Sequence, residues 1–287
     1  MSLLYVTDLD GTLLHSDGEL SDWSHSRLRA LLEDGIPLTV ASARSAFSIQ
    51  EKLRGLPIQL PIIECNGAFL TDLKSGRHIG VWPMASTTAY TIHDYFMEQS
   101  AVMFMTTTTG ERDAVYYGDR RNGGLDWFIE DRLKVGDPRP RYAPDFIQAL
   151  GEQVACITAV GSEAEMHAYE RELDSIFGNE LTMHVWDDPY AKDWWWLMIH
   201  DRQACKGQAM KRLIQHVQGK EAPEQARAVV FGDQVNDLGL FEHATERIAV
   251  ENACPELKEI ATEVIAHHDQ DPVVNYLEKS WNEEKKE

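Results

Sequence analysis

Short apolar runs that stop abruptly at polar residues recur near both ends of the chain. Leu3 to Thr7 is the first and stops at Asp8; Ile36 to Ala41 and Ile62 to Cys65 follow, each predicting a strand. Between them, Ser24 to Glu33 and Ser45 to Arg54 carry apolar residues at helical spacing, with Gly35 placed to cap the first. Strands alternating with helices at this spacing predict right-handed crossovers and a doubly wound parallel sheet of the α/β class. Ligands of such sheets lie beyond the carboxyl ends of the strands. Asp8, Ser42 and Asn66 each fall just past a strand end, so the topology can bring them together.

The texture changes near Ser86. Ser86 to Gln99 is helical, Val102 to Thr107 and Ala114 to Tyr117 are strands, and Asn122 to Leu133 is helical ahead of the prolines 138, 140 and 144. Val154 to Val160 is a strand, and Ser162-x-x-Glu165 is a capping box opening a helix that ends at Gly178. Leu181 to Trp186 closes what reads as an α+β insert with its own small sheet. The alternation then resumes with the strand Trp194 to Ile199, the helix Lys206 to Val217, the strand Ala228 to Phe231, the helix Leu238 to Ala244, and short strands at Arg247 to Val250 and Glu263 to Ile265. The charged tail from Lys279 reads as frayed. The expected organisation is a discontinuous core, residues 1–82 and 191–287, interrupted by an α+β cap at 83–190 that sets substrate specificity.

Length and charge narrow the classes. A chain of 287 residues with 43% hydrophobic content supports about two packed domains. Its 47 acidic against 27 basic side chains give a net charge of −20. That balance argues against a nucleic-acid partner and against anionic membrane surfaces. No apolar stretch approaches membrane-spanning length, and Met1 to Asp8 has no basic segment or cleavage site of a signal peptide. Cys65, Cys156, Cys205 and Cys254 are widely spaced, as reduced thiols would be, and the expected location is cytoplasmic.

The chemistry concentrates at strand ends. Asp8-Leu9-Asp10-Gly11-Thr12 puts two carboxylates and a glycine turn with exposed amides at one place, so one carboxylate can attack phosphorus while the other handles protons. Gly232-Asp233-Gln234-Val235-Asn236-Asp237 adds oxygen donors beyond another strand. These suit a hard cation such as Mg2+, or, alternatively, simply cap the next helix. Ser42, in Ala41-Ser42-Ala43-Arg44, can bind phosphate oxygens or serve as an ordinary cap. Lys206 can neutralise a phosphate or be a solvated lysine.

This ordered set, Asp8-Leu9-Asp10-Gly11-Thr12, Ser42, Lys206 and Gly232-Asp233-x-x-Asn236-Asp237, resembles the haloacid dehalogenase superfamily. It resembles most the Cof-type phosphatases, whose large cap is inserted into a Rossmann-like core between the second and third motifs. Asn66-Gly67-Ala68 and Glu251-Asn252-Ala253 resemble Cof-type features as well. The resemblance implies that Asp8 is the nucleophile and becomes an aspartyl phosphate, and that Asp10 protonates the leaving alcohol and then activates water. It implies that Ser42 and Lys206 hold phosphoryl oxygens, with Gly11 and Asn66 at the phosphate. Mg2+ would be bound by Asp8, by Asp10 through its carbonyl, and by Asp233, with Asn236 and Asp237 in support. The sequence departs from the family at Ala43 (usually Gly), at bulky Gln234, and at Asp271-Pro272-Val273 in place of Asp-Gly-Val.

The expected activity is Mg2+-dependent hydrolysis of a small phosphorylated metabolite, with a sugar phosphate as the expected substrate. The alternatives are a phosphomutase of the same fold and an idle binding or regulatory relative. In the run Trp194-Trp195-Trp196, alternate residues face opposite ways, as core packing would use them. Arg112, Arg120 and Arg121 are candidate cap specificity residues, and His267-His268 reads as a loop.

Overall fold

In the computed structural model, which describes residues 3–187, 191–219 and 227–286, the strand Leu4–Thr7 lies inside a five-stranded sheet. Its order is Glu263–Ile265, Glu246–Val250, Ala228–Gly232, Leu4–Thr7, Leu38–Val40, and every pairing is parallel. Tyr5, Val6, Val229 and Val230 are wholly buried. Burial on both faces is why these strands read as continuous apolar runs rather than as alternating ones. The chain divides into two compact units: Met1–Gly80 with Cys205–Glu287, and Val81–Ala204.

In the first unit, Ser21 caps the helix Asp22–Glu33 and Ser45 caps the helix Ala46–Lys52, each accepting an N–H three residues on. The strand Ile62–Glu64 departs from expectation. It meets the parallel sheet through a single bridge, Ala41 to Ile63, and otherwise pairs antiparallel with Phe69–Asp72 in a three-stranded sheet completed by Arg77–Val81. The C-terminal segment is not frayed at Lys279. Pro272–Glu284 is a helix whose Val273, Val274 and Leu277 are buried. Trp281 Nε1 and Lys285 Nζ reach Asp34 at 2.8 and 2.6 Å, and Tyr5 meets Ser280 at 2.9 Å.

The second unit is built on a six-stranded sheet, in the order Leu181–Asp187, Trp195–Asp201, Gln153–Gly161, Val102–Thr108, Asp113–Tyr117, Pro140–Tyr142. The strand expected to resume the core at Trp194 belongs here instead, antiparallel to both neighbours, so this unit runs to Ala204 rather than to residue 190. An apolar run buried between two strands looks the same in a parallel or an antiparallel setting, so its pattern could not assign it to a sheet. Ile92 and Phe96 of the helix Ser86–Glu98 and Met166 and Leu173 of the helix Glu163–Phe177 share one core cluster, against which Trp195 packs. Trp196 lies in a second cluster with Leu125, Phe128 and Ile129 of the helix Gly123–Lys134. The capping box Ser162/Glu165 is present in both halves. Arg120 donates to the Met97 carbonyl, Arg121 pairs with Asp126, and Arg112 approaches Glu152. Among the described residues no helix is long and apolar enough to cross a membrane.

Candidate active site

Four loops of the first unit meet beyond the ends of its strands. Asp8 follows Leu4–Thr7 directly, and its N–H donates to the Phe231 carbonyl of the neighbouring strand at 3.0 Å. The chain then makes a tight helical turn, Leu9–Leu13, broken by Gly11 at φ +74°. A side chain there would be strained and also obstructed, because a Cβ would lie 2.4 Å from Asp233 Oδ2. Only glycine lets the two acidic loops approach this closely.

Lys206 opens the helix Lys206–Gln218 and is 1% exposed. Its Nζ donates to Asp8 Oδ1 at 2.6 Å and to Asp237 Oδ1 at 2.8 Å. The helix can start here because Gly67, at φ +101°, leaves room for the Cys205 carbonyl, 2.5 Å from where a Cβ would sit. Asp237, wholly buried, accepts from the N–H groups of Asp233 and Gln234 with its other oxygen. Asp237 therefore closes its own turn and faces Lys206, while the helix Leu238–Glu242 that follows has no side-chain cap. Asp233 accepts from Thr12 Oγ1 at 3.1 Å.

Asp10 points elsewhere. Arg44 grips both of its carboxylate oxygens, from Nε at 2.7 Å and Nη2 at 2.6 Å, a bidentate geometry that holds the carboxylate in one orientation. Ser42 is buried beyond Leu38–Val40, with its Oγ accepting the Arg44 N–H at 3.1 Å and its carbonyl accepting the Asn66 N–H at 3.0 Å. Ser45, not Ser42, caps the following helix. Asn66, in the left-handed region at φ 53°, accepts from Asn236 Nδ2 at 3.1 Å, and the buried Asn236 Oδ1 has no hydrogen-bond partner.

The electrostatics reflect crowded carboxylates. Burial pushes Asp8 well above the usual carboxylate range and Asp237 and Asp233 add to the rise, while Lys206 acts against it. Burial and then Asp237 push Asp233 up to about 7. Burial alone would lower Lys206, but Asp237 and Asp8 outweigh it and hold the ammonium form above its ordinary range. One lysine thus faces three buried carboxyl groups, and Asp8 and Asp233 are pushed toward their neutral forms. Oxygens of Asp8, Asp233 and Asp237 lie within 4.8 Å of one another. A hard divalent cation with oxygen ligands fits this donor set and would relieve the repulsion.

A second group with metal-like spacing, His267, His268 and Asp269, is committed to hydrogen bonds. His268 Nδ1 donates to the Leu14 carbonyl at 2.7 Å and its Nε2 meets Ser16 Oγ at 3.3 Å. Ser16 donates to both oxygens of Asp269. Sequence reasoning missed these contacts, the Arg44 clamp, and the bond that Asn252 Nδ2 donates to the Gly11 carbonyl. It also missed Glu64, buried at the strand end, which accepts the Ala46 N–H and the Thr71 hydroxyl. Arg44 had a signal in its position two residues after Ser42; Glu64 had none beyond being an acid next to an apolar run.

The haloacid dehalogenase-like hydrolase family matches the chain over residues 5–277. The 5-amino-6-(5-phospho-D-ribitylamino)uracil phosphatase YitU of Bacillus subtilis is 24% identical, with 97% of each chain aligned. Phosphatase YwpJ of the same organism is 27% identical over 96% of this chain and 98% of its own. A solved haloacid dehalogenase-like hydrolase from B. subtilis, 23% identical, superposes with a TM-score of 0.76 over 96% of this chain and 99% of its own.

Proposed function

The chain belongs to the haloacid dehalogenase-like hydrolases, and from that premise we propose that it is a Mg2+-dependent phosphatase. Its substrate is a small phosphorylated metabolite, a sugar phosphate, and the reaction passes through an aspartyl phosphate. The observation that carries the proposal is the buried Lys206 bridging Asp8 and Asp237 beside Asp233. Buried acids in excess of their one cation suit a site that receives a further cation and an anion together. YitU, named for the phosphate ester of a ribitylaminouracil, supports a small metabolite as the substrate.

Asp8 attacks phosphorus, forming an acyl phosphate as the ester P–O bond breaks. Asp10, clamped by Arg44 while ionised, acts as the acid only once protonated and released from at least one of those two bonds, and then gives its proton to the departing alkoxide. Asp10 then takes a proton from the water that attacks the phosphoryl group, releasing inorganic phosphate and restoring Asp8. Lys206, Ser42, Asn66 and the backbone at Gly11 hold the phosphoryl oxygens. Asp8, the Asp10 carbonyl and Asp233 would hold Mg2+, with Asn236 and Asp237 in support. When bound it supplies the positive charge that screens an anionic nucleophile from an anionic ester. The unit Val81–Ala204 sets specificity.

The test is phosphate release from p-nitrophenyl phosphate and from a panel of sugar phosphates, with Mg2+ and with chelator. Turnover that needs Mg2+ supports the reading. Isomerised sugar phosphate without free phosphate makes the protein a mutase, and absence of both turnover and Mg2+ binding makes it an idle relative.

A further inference from the structure

The loop that carries both proposed reacting carboxylates is held from behind by a segment far away in sequence. Asn252 Nδ2 donates to the Gly11 carbonyl at 2.7 Å, and Asn252 Oδ1 accepts the His268 N–H at 3.1 Å. The two partners determine how the amide lies: a carbonyl only accepts and a backbone N–H only donates, so the reversed amide would lose both bonds. His268 then reaches the same loop three residues later, through Nδ1 to the Leu14 carbonyl at 2.7 Å. The loop is closed on itself by the Leu14 N–H donating to the Leu9 carbonyl at 2.8 Å.

Gly11 is the residue for which this anchoring matters most. It has no side chain to hold it, it sits at φ +74°, and its Cα faces Asp233 Oδ2. The peptide after it leads into Thr12, whose hydroxyl donates to Asp233 Oδ1. Rotation of the Gly11 carbonyl would carry the Asp10 backbone on one side and the Thr12 hydroxyl on the other. We propose that Asn252 is a positioning residue for phosphoryl transfer: its amide holds the Gly11 carbonyl, and so keeps Asp10 and, through Thr12, Asp233 in register with Asp8. This inference rests on the phosphatase reading.

Asn252→Asp in the full-length protein separates the two halves of the contact. It keeps the shape and the acceptor for the His268 N–H, but loses the donor and sets a carboxylate oxygen against the Gly11 carbonyl. Asn252→Ala removes both bonds and leaves space in which water can donate to that carbonyl. With p-nitrophenyl phosphate at saturating Mg2+, the Asp variant is expected to lose about tenfold or more in kcat. Its KM should change less than about threefold, and the Ala variant should lose no more than the Asp variant. Hydrogen exchange followed by mass spectrometry, without Mg2+ or substrate, is expected to show faster exchange in the peptide spanning residues 9–14 of both variants. Exchange across Ala228–Gly232 should be unchanged. A simple packing role predicts the reverse order, with the truncated Ala variant the worse. The proposal is overturned if the Asp variant keeps kcat within about twofold of wild type, or if exchange at residues 9–14 is unaltered. If wild type hydrolyses no phosphate ester, the phosphatase reading fails by itself and the positioning of the loop is judged on the exchange alone.

Discussion

Lys206 and the acids around it show how much depends on single side chains. Asp8→Asn replaces the proposed nucleophile by an amide of the same shape and is expected to lower kcat by about 10⁴-fold or more on p-nitrophenyl phosphate. Retention of wild-type turnover would remove Asp8 from that role. Lys206→Met, close in length, leaves Asp8 and Asp237 buried without their shared cation. In chelator it should cost about 3–5 kcal/mol in urea unfolding, and Mg2+ should restore part of the loss. Asp8, Asp10, Asp233 and Asp237 were legible in sequence because a carboxylate after an apolar run is conspicuous. Arg44 as the partner of Asp10 was not, since the two residues lie on different loops and only the fold turns them toward each other.

At the scale of elements, Asp271 joins the start of one helix to another. Its Oδ1 accepts from Ser21 and Ser24 at 2.8 and 2.6 Å and meets His15 Nε2 at 2.9 Å, while its own backbone precedes the helix Pro272–Glu284. Partial burial works to raise its pKa, but the Ser24, Ser21 and His15 contacts prevail and hold it below the ordinary 3.8. The sign follows: a carboxylate with a lower folded than unfolded pKa stabilises fully above the unfolded value. That contribution disappears as pH falls through the folded value. Asp271→Asn, which tolerates the left-handed φ of 54°, is expected to lose about 2 kcal/mol near neutral pH. Chemical denaturation across pH should show the gap between the two proteins closing below about pH 4; a gap independent of pH would refute the charge argument. The Pro after Asp271, an oddity in the sequence, has a structural place at the first turn of that helix. The Trp195–Asp201 strand teaches the converse: its existence was readable, but its sheet was not, because an apolar run does not encode whether it pairs with Leu181–Asp187 and Gln153–Gly161 or with strands of the parallel sheet.

For the whole molecule, the site exists only when the two ends of the chain meet. Lys206 and Asp8 are 198 residues apart in sequence, and the unit Val81–Ala204 separates them along the chain. Mg2+ binding should therefore act as a clasp on the discontinuous unit. At 100 times its dissociation constant it should add about 2.7 kcal/mol to stability, seen as a rise in thermal midpoint that chelator reverses and Asp233→Asn largely abolishes. An unchanged midpoint would argue against the carboxylate cluster as the metal site. The charge of −20 speaks against polyanionic partners, while the proposed reaction needs only a small anion met by Lys206 and a cation. By itself the sequence determined the parallel α/β core, the presence of an α+β insert and the acidic motifs, because burial and turn chemistry are written locally in residue order. Only the tertiary structure decided where the insert ends, that Arg44 holds Asp10, and that Asn252 and His268 brace the loop at Gly11 and Leu14. Those contacts join polar atoms across large sequence separations, and no local pattern of apolar and polar positions encodes which donor meets which acceptor.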